Sequence, residues 1–214
     1  MTGRASARKL DEIAGRIRAC RFCVETPKGA KLPHEPRPVL RVSATARLLI
    51  ASQAPGNLVN QTGLPFNDPS GNRLRDWMAV DRETFYDVSR IAIAPMGFCF
   101  PGNDAAGGDL PPRPECRALW HDELFAALPK VETVLAIGRF AQDYHFARLG
   151  HALPKGAGVS EIVARWREFQ GARPLIFPLP HPSWRNTGWL KRHPWFEAEA
   201  LPVLRAEVAR LVKT

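Results

Sequence analysis

The sequence predicts an α/β fold, a single α/β/α sandwich with a mostly parallel central sheet. Three observations predict it. Short apolar runs recur along the chain, stretches of helical period lie between them, and 214 residues at 45% hydrophobic and 24% charged content suffice for one substantial core. Strands that alternate with helices pair in parallel and are covered on both faces, because each crossover helix packs back onto the sheet. We therefore expect one domain over residues 1–214, with an N-terminal helix and cysteine arm over about 1–40.

The elements follow in order. A first helix is expected over Ser6 to Ala19, where Leu10, Ile13, Ala14 and Ile17 recur at three-to-four spacing, and it delivers Cys20. Residues 26–39, rich in Pro, Gly and Lys and without apolar period, read as a surface loop. Strands are expected at Arg47 to Ser52, Ile91 to Ala94, Thr133 to Ile137 and Pro174 to Phe177. Helices are expected at Asn72 to Ala79, Arg113 to Ala127, Phe140 to Leu149 and Ser160 to Phe169. A last helical stretch, Trp195 to Val212, contains Pro202 and should kink or restart there. Ligands in such folds gather beyond the carboxyl ends of the strands, so the loops after Ser52, Ala94, Ile137 and Phe177 should surround one cleft.

Composition narrows the partners. The formal net charge of +9 is an excess of Lys and Arg able to neutralise phosphate, although charge alone does not select nucleic acid. No apolar run reaches membrane-spanning length, and the opening MTGRASARKL lacks the apolar stretch of a signal peptide, so a cytoplasmic protein without a membrane partner is expected. Four cysteines in that reducing compartment point to metal ligation or plain burial and away from disulfides.

Two segments carry chemistry. Ser52-Gln-Ala-Pro-Gly56 ends the first strand and is followed by Thr62-Gly-Leu-Pro-Phe66 and Asn67-Asp-Pro-Ser-Gly71 before a helix. A strand, a tight turn and a helix N-terminus present N–H groups and side-chain amides to a polar planar ligand, and also serve as an ordinary structural turn. After the last strand comes Pro178-Leu-Pro-His-Pro-Ser183, where flanking prolines fix the backbone of His181 so that its ring can serve as a hydrogen-bond donor or simply pack.

Taken in order, Ser52–Gly56, Thr62–Phe66 and His181-Pro-Ser183 resemble the paired motifs of the uracil-DNA glycosylase superfamily, with the likeness closest to its iron–sulfur bacterial and archaeal branches, often called families four and five. The likeness spans roughly Cys20 to Asn186. It extends to the cysteines: Cys20-Arg-Phe-Cys23, then Cys99 and Cys116 with sixteen residues between them, resemble the cluster ligands of those branches. Four thiolates can hold a 4Fe-4S cluster or zinc, and spacing alone does not choose; the resemblance favours the cluster, in a structural role.

The resemblance implies site roles. A glycosylase extrudes the nucleotide from the stack and reads the base in a pocket. Phe66 matches the aromatic that stacks on uracil, and His181 the donor to its O2 as negative charge develops there. Ala54, Gly56, Asn57, Asn67 and Phe98 complete the expected substrate contacts. Ser183, Trp184, Arg185 and Asn186, with Lys191 and Arg192, form a basic stretch interleaved with aromatics, in which Trp184 or Arg185 would be the wedge and the cations would grip phosphate. Trp184, Trp189 and Trp195 have a plainer use, packing the C-terminal helix onto the sheet.

Two departures stand out. Where family four carries a catalytic carboxylate this chain has Gln53, which can orient a water but cannot take a proton. Where the family has a uracil-reading Asn this chain offers Ala94 and Pro95, so base recognition is expected from the Met96-Gly-Phe98 backbone, Asn57, Asn60 or Asn67. Asp68 is the nearest acidic candidate for activating water, and equally a helix-cap residue. The expected function is therefore excision of flipped-out uracil from DNA by a monomeric protein. The alternatives are a glycosylase for hypoxanthine or xanthine, a non-catalytic damaged-DNA or abasic-site binding protein, and a cluster-bearing redox protein.

Overall fold

The computed structural model describes residues 3–171 and 173–213. Four strands, β1 (Leu48–Ala51), β2 (Ile91–Ile93), β3 (Thr133–Ile137) and β4 (Leu175–Leu179), form one all-parallel sheet in the order β2-β1-β3-β4. Leu48 pairs in register with Ile91 on one side and Thr133 on the other, and Thr133 pairs with Leu175. Every strand residue is buried, as expected of a parallel sheet covered on both faces.

The helices are α1 (Gly3–Arg18), α2 (Phe22–Glu25), α3 (Asn57–Thr62), α4 (Pro69–Met78), α5 (Arg82–Tyr86), α6 (Pro114–Cys116), α7 (Asp122–Ala126), α8 (Arg139–Arg148), α9 (Val159–Ala164), α10 (Thr187–Arg192) and α11 (Leu201–Val212). A π-helical turn, Arg117–His121, joins α6 to α7, and another, Phe196–Ala200, leads into α11. The chain thus restarts its last helix next to Pro202, which sits in the first turn where a missing N–H costs no hydrogen bond.

Strand residues divide between two cores by the two-residue period of a pleated strand. Leu49, Ala51, Ala92, Val134, Ala136 and Ile176 pack with Leu10, Ile13 and Ile17 of α1, with Leu124 and Phe125 of α7, and with Tyr144 and Phe146 of α8. Leu48, Ile50, Ile91, Leu135, Ile137, Phe177 and Leu179 pack on the other face with Leu74 and Trp77 of α4, Phe85 of α5, and Leu201, Leu204 and Val208 of α11. The α/β/α sandwich is the observed architecture.

Several elements differ from expectation: the helix expected over Arg113 to Ala127 is split by the π-helical turn Arg117–His121, and the one expected over Ser160 to Phe169 stops at Ala164 and resumes as a 3-10 turn, Trp166–Phe169. The last strand runs two residues past Phe177 and through Pro178, opposite Ala136. It lies at the sheet edge, where a proline is tolerated because no further strand needs its N–H. Helix α4 starts at Pro69, three residues before Asn72, because Asp68 caps it by accepting the Gly71 N–H at 2.8 Å.

Candidate active site

The C-terminal ends of the strands open into a cleft of about 610 Å³. Its floor is the loop after β1. Met96 N–H donates to the Ser52 carbonyl and Gly97 N–H to the Gln53 carbonyl, both at 2.8 Å, so the loops after β1 and β2 are laced together beneath the cleft. Gln53, Ala54 and Gly56 line it from this side. The Gln53 side chain lies over Gly138 at the end of β3, where a Cβ would come within 2.8 Å of Gln53 Nε2, an amide end that could shift; the φ of +76° at Gly138 is what favours glycine there.

Phe66 and Asp68 line the second wall. Phe66 adopts φ 57°, a left-handed backbone that non-glycine residues rarely take and that marks functional turns. The first turn of α4 presses against it. A Cβ on Gly71 would lie 1.7 Å from the Phe66 carbonyl oxygen, so only glycine permits the approach. Arg75 Nη1 donates to the same carbonyl at 3.3 Å, and the Phe66 ring meets Phe85 edge-on at 6.0 Å. Phe66 is 8% exposed, with its ring on this aromatic support and the residue at the cleft surface.

His181, Ser183, Trp184, Arg185 and Asn186 form the third wall. Two anchors hold this loop. Asn186 Nδ2 donates to the His181 carbonyl at 2.7 Å, and Arg73 of α4 donates to the Ser183 carbonyl at 2.8 Å and to Thr187 Oγ1 at 3.2 Å. Ser183 Oγ accepts the Arg185 N–H at 3.1 Å, capping the turn Trp184–Asn186. Among the described residues no hydrogen bond is made to the His181 ring, which leaves its nitrogens available to a ligand. Burial pushes the imidazole below its ordinary value, opposed by the negative charges of Asp68 and Asp109, so the neutral form prevails at neutral pH. Trp184 is 74% exposed at the rim, with the Arg185 guanidinium 5.9 Å from its ring centre.

Other expected contacts fall elsewhere. Phe98 is 2% exposed in the core and meets His121 edge-on at 5.2 Å, an apolar ring drawn away from the cleft. The Met96–Phe98 segment is outside the cleft lining; the Met96 and Gly97 N–H groups make the loop lacing, and Val39 N–H donates to the Phe98 carbonyl at 2.7 Å. Asn57 is exposed at the start of α3, outside the cleft lining, and Asn67 is outside it too, its Oδ1 accepting from Arg82 at 2.9 Å. Asn60 is buried, with Oδ1 unpartnered, but does not line the cleft. Lys191 and Arg192 are exposed on the last turn of α10, beside the cleft rather than in it. Of the three tryptophans, Trp189 is the packing residue, buried and donating Nε1–H to Ser160 Oγ at 2.6 Å, while Trp195 packs partly buried on the same core. Two lining residues, Asp109 and Leu110, come from the loop between Cys99 and Cys116, where no motif marked them.

The four cysteines are free thiols, and Cys23, Cys99 and Cys116 are buried. They lie close enough to feel one another's charge. Burial pushes the Cys99 and Cys116 thiols up to about 12, against backbone N–H donors from Arg37 and Phe98 respectively, and Arg113 hydrogen-bonds Cys23. Soft thiols ringed by N–H donors suit a thiolate-ligated metal group, whose positive charge would offset the cost of buried thiolates. Among the described residues no group of three or more His, Cys, Asp or Glu side chains is arranged to hold a metal ion. The donor chemistry fits a cluster, and the geometry specifies none.

Residues 41–205 match the family model of the uracil DNA glycosylase superfamily. The match takes in the loop after β1, Phe66, Asp68, Asp109, the His181 loop, Cys99 and Cys116, and leaves Cys20 and Cys23 outside.

Proposed function

The chain belongs to the uracil DNA glycosylase superfamily, and from that premise we propose that it hydrolyses the N-glycosidic bond of uracil flipped out of DNA, leaving an abasic site. The observation that carries this reading is the convergence of Phe66 and His181 on one cleft at the strand ends, an aromatic residue and a neutral imidazole about a space sized for a small ligand. A flipped base stacks on Phe66, while His181 donates to the uracil O2 as the glycosidic electron pair moves onto the base. Gln53 orients the attacking water, and Trp184 at the rim fills the gap left in the stack.

The remaining assignments follow from the same reading. Cys20, Cys23, Cys99 and Cys116 would hold a 4Fe-4S cluster of the kind found in families four and five, with zinc as the alternative; the group ties the N-terminal arm and the 100–115 loop to the sheet and takes no part in bond cleavage. No helix among the described residues is long and apolar enough to cross a membrane, and we assign a cytoplasmic monomer acting on DNA. One observation favours a second reading, a protein that holds uracil or an abasic site without turnover: Gln53 cannot accept a proton. Incubation with a uracil-containing oligonucleotide followed by alkali separates the two, since a glycosylase yields cut strands and a binder leaves them intact.

A further inference from the structure

Resting on the glycosylase reading above, we infer that Asp109 is a catalytic residue whose carboxylate accepts the proton of the water that attacks the sugar. Asp68 and Asp109 are the two carboxylates that line the cleft. Asp68 has a structural commitment, since its Oδ1 holds the Gly71 N–H at 2.8 Å and starts α4. Asp109 has Oδ1 on Asn103 Nδ2 at 3.1 Å, while its Oδ2 lies over Gly56, 3.5 Å from where a Cβ would stand. Its charge also acts on the His181 imidazole across the cleft. A proton acceptor therefore lines the same cleft as the β1 loop and the histidine donor, and it can do what Gln53, able to orient water but not to deprotonate it, cannot.

The loop that carries Asp109 is braced to hold it. Asp104 Oδ1 accepts the N–H groups of Ala106 at 2.9 Å and Gly108 at 2.8 Å, Leu110 N–H donates to the Gly102 carbonyl at 2.9 Å, and Asn103 and Asp109 pair as an antiparallel bridge. Pro112 then packs on Gly97, where an added Cβ would lie 3.0 Å from Pro112 Cβ and 3.3 Å from Ala54 Cβ. The loop is thus seated on the same β1 and β2 turns that floor the cleft. Asp109 is exposed in the free protein, and DNA laid across the mouth would cover it.

The step balances as follows. The C1′–N1 bond breaks and its electron pair leaves on uracil, whose O2 accepts the hydrogen bond from His181. The water oxygen bonds to C1′, one water proton passes to the Asp109 carboxylate, and that proton returns through solvent to the uracil anion. The products are uracil and an abasic sugar, with one water consumed.

The test is single-turnover excision by the full-length protein, with enzyme in excess over a uracil-containing duplex, comparing wild type with Asp109→Asn and Asp109→Glu. Affinity is read on the same duplex carrying 2′-fluoro-2′-deoxyuridine, whose glycosidic bond resists cleavage. Asp109→Asn is expected to slow excision about a hundredfold with affinity and thermal midpoint unchanged, and Asp109→Glu to keep more of the rate than Asn does. If the Asn variant does not fold, Asp109→Ser replaces it, since it too removes the acceptor. Excision by Asp109→Asn at the wild-type rate, or a loss matched by lost affinity, overturns the assignment while leaving the glycosylase reading intact. A wild-type protein that binds the duplex and releases no uracil overturns the glycosylase reading, and this assignment with it.

Discussion

In the proposed reaction His181 would act through three local facts: prolines on both sides, an Asn186 amide on its carbonyl, and a ring that burial keeps neutral. A neutral imidazole can donate one hydrogen bond without drawing a full countercharge into the cleft, which suits an oxygen that becomes anionic only as the bond breaks. Its loss should therefore appear in the rate and not in binding. His181→Ala is expected to lower single-turnover excision by about two to three orders of magnitude with DNA affinity nearly unchanged. Rapid-quench assays of the variant check this, and wild-type excision would show that another group stabilises the leaving base. The neighbouring Asp68 shows how one residue can satisfy two readings at once: it caps α4 and lines the cleft, so its substitution alone cannot separate stability from chemistry.

At the scale of elements, what was legible in the sequence depended on length and period. The four strands were readable because each is an unbroken apolar run flanked by turn residues, and α1, α4 and α8 because their buried faces recur over several turns. Helices α2, α3, α5 and α10 were missed, since four to six residues complete too few turns to show a period. The motif loops gave Gln53, Phe66 and His181, but Asp109 lies in a Gly- and Asp-rich loop whose position over Gly56 exists only once the sheet has formed. Phe98 misled because it adjoins a cleft loop in sequence while its ring turns into the core. Helix α10 carries its own expectation. Trp189 pins it to Ser160 and stacks on His193 at 4.3 Å, which turns Lys191 and Arg192 outward beside the Trp184 rim. Replacing either cation with Ala is expected to reduce the slope of log affinity against log salt by about one, because each phosphate contact releases condensed counterions. Salt titrations of DNA binding measure that slope, and an unchanged value for both variants would place α10 away from DNA.

At the scale of the whole molecule, a basic α/β/α sandwich places its candidate site at one end of a parallel sheet and carries four thiols in the N-terminal arm and the 99–116 region. If a cluster joins those segments, protein purified without oxygen should contain iron and sulfide and absorb broadly in the visible through thiolate-to-iron charge transfer, whereas zinc would leave it colourless. Metal analysis that found stoichiometric zinc and no iron would contradict the cluster. The central claim, that this cleft breaks the bond between uracil and sugar, is tested most directly by the products formed on a uracil-containing oligonucleotide. Free uracil released in step with alkali-labile abasic sites is the expected result; tight binding of that DNA with no free uracil and no alkali-labile strand would contradict it.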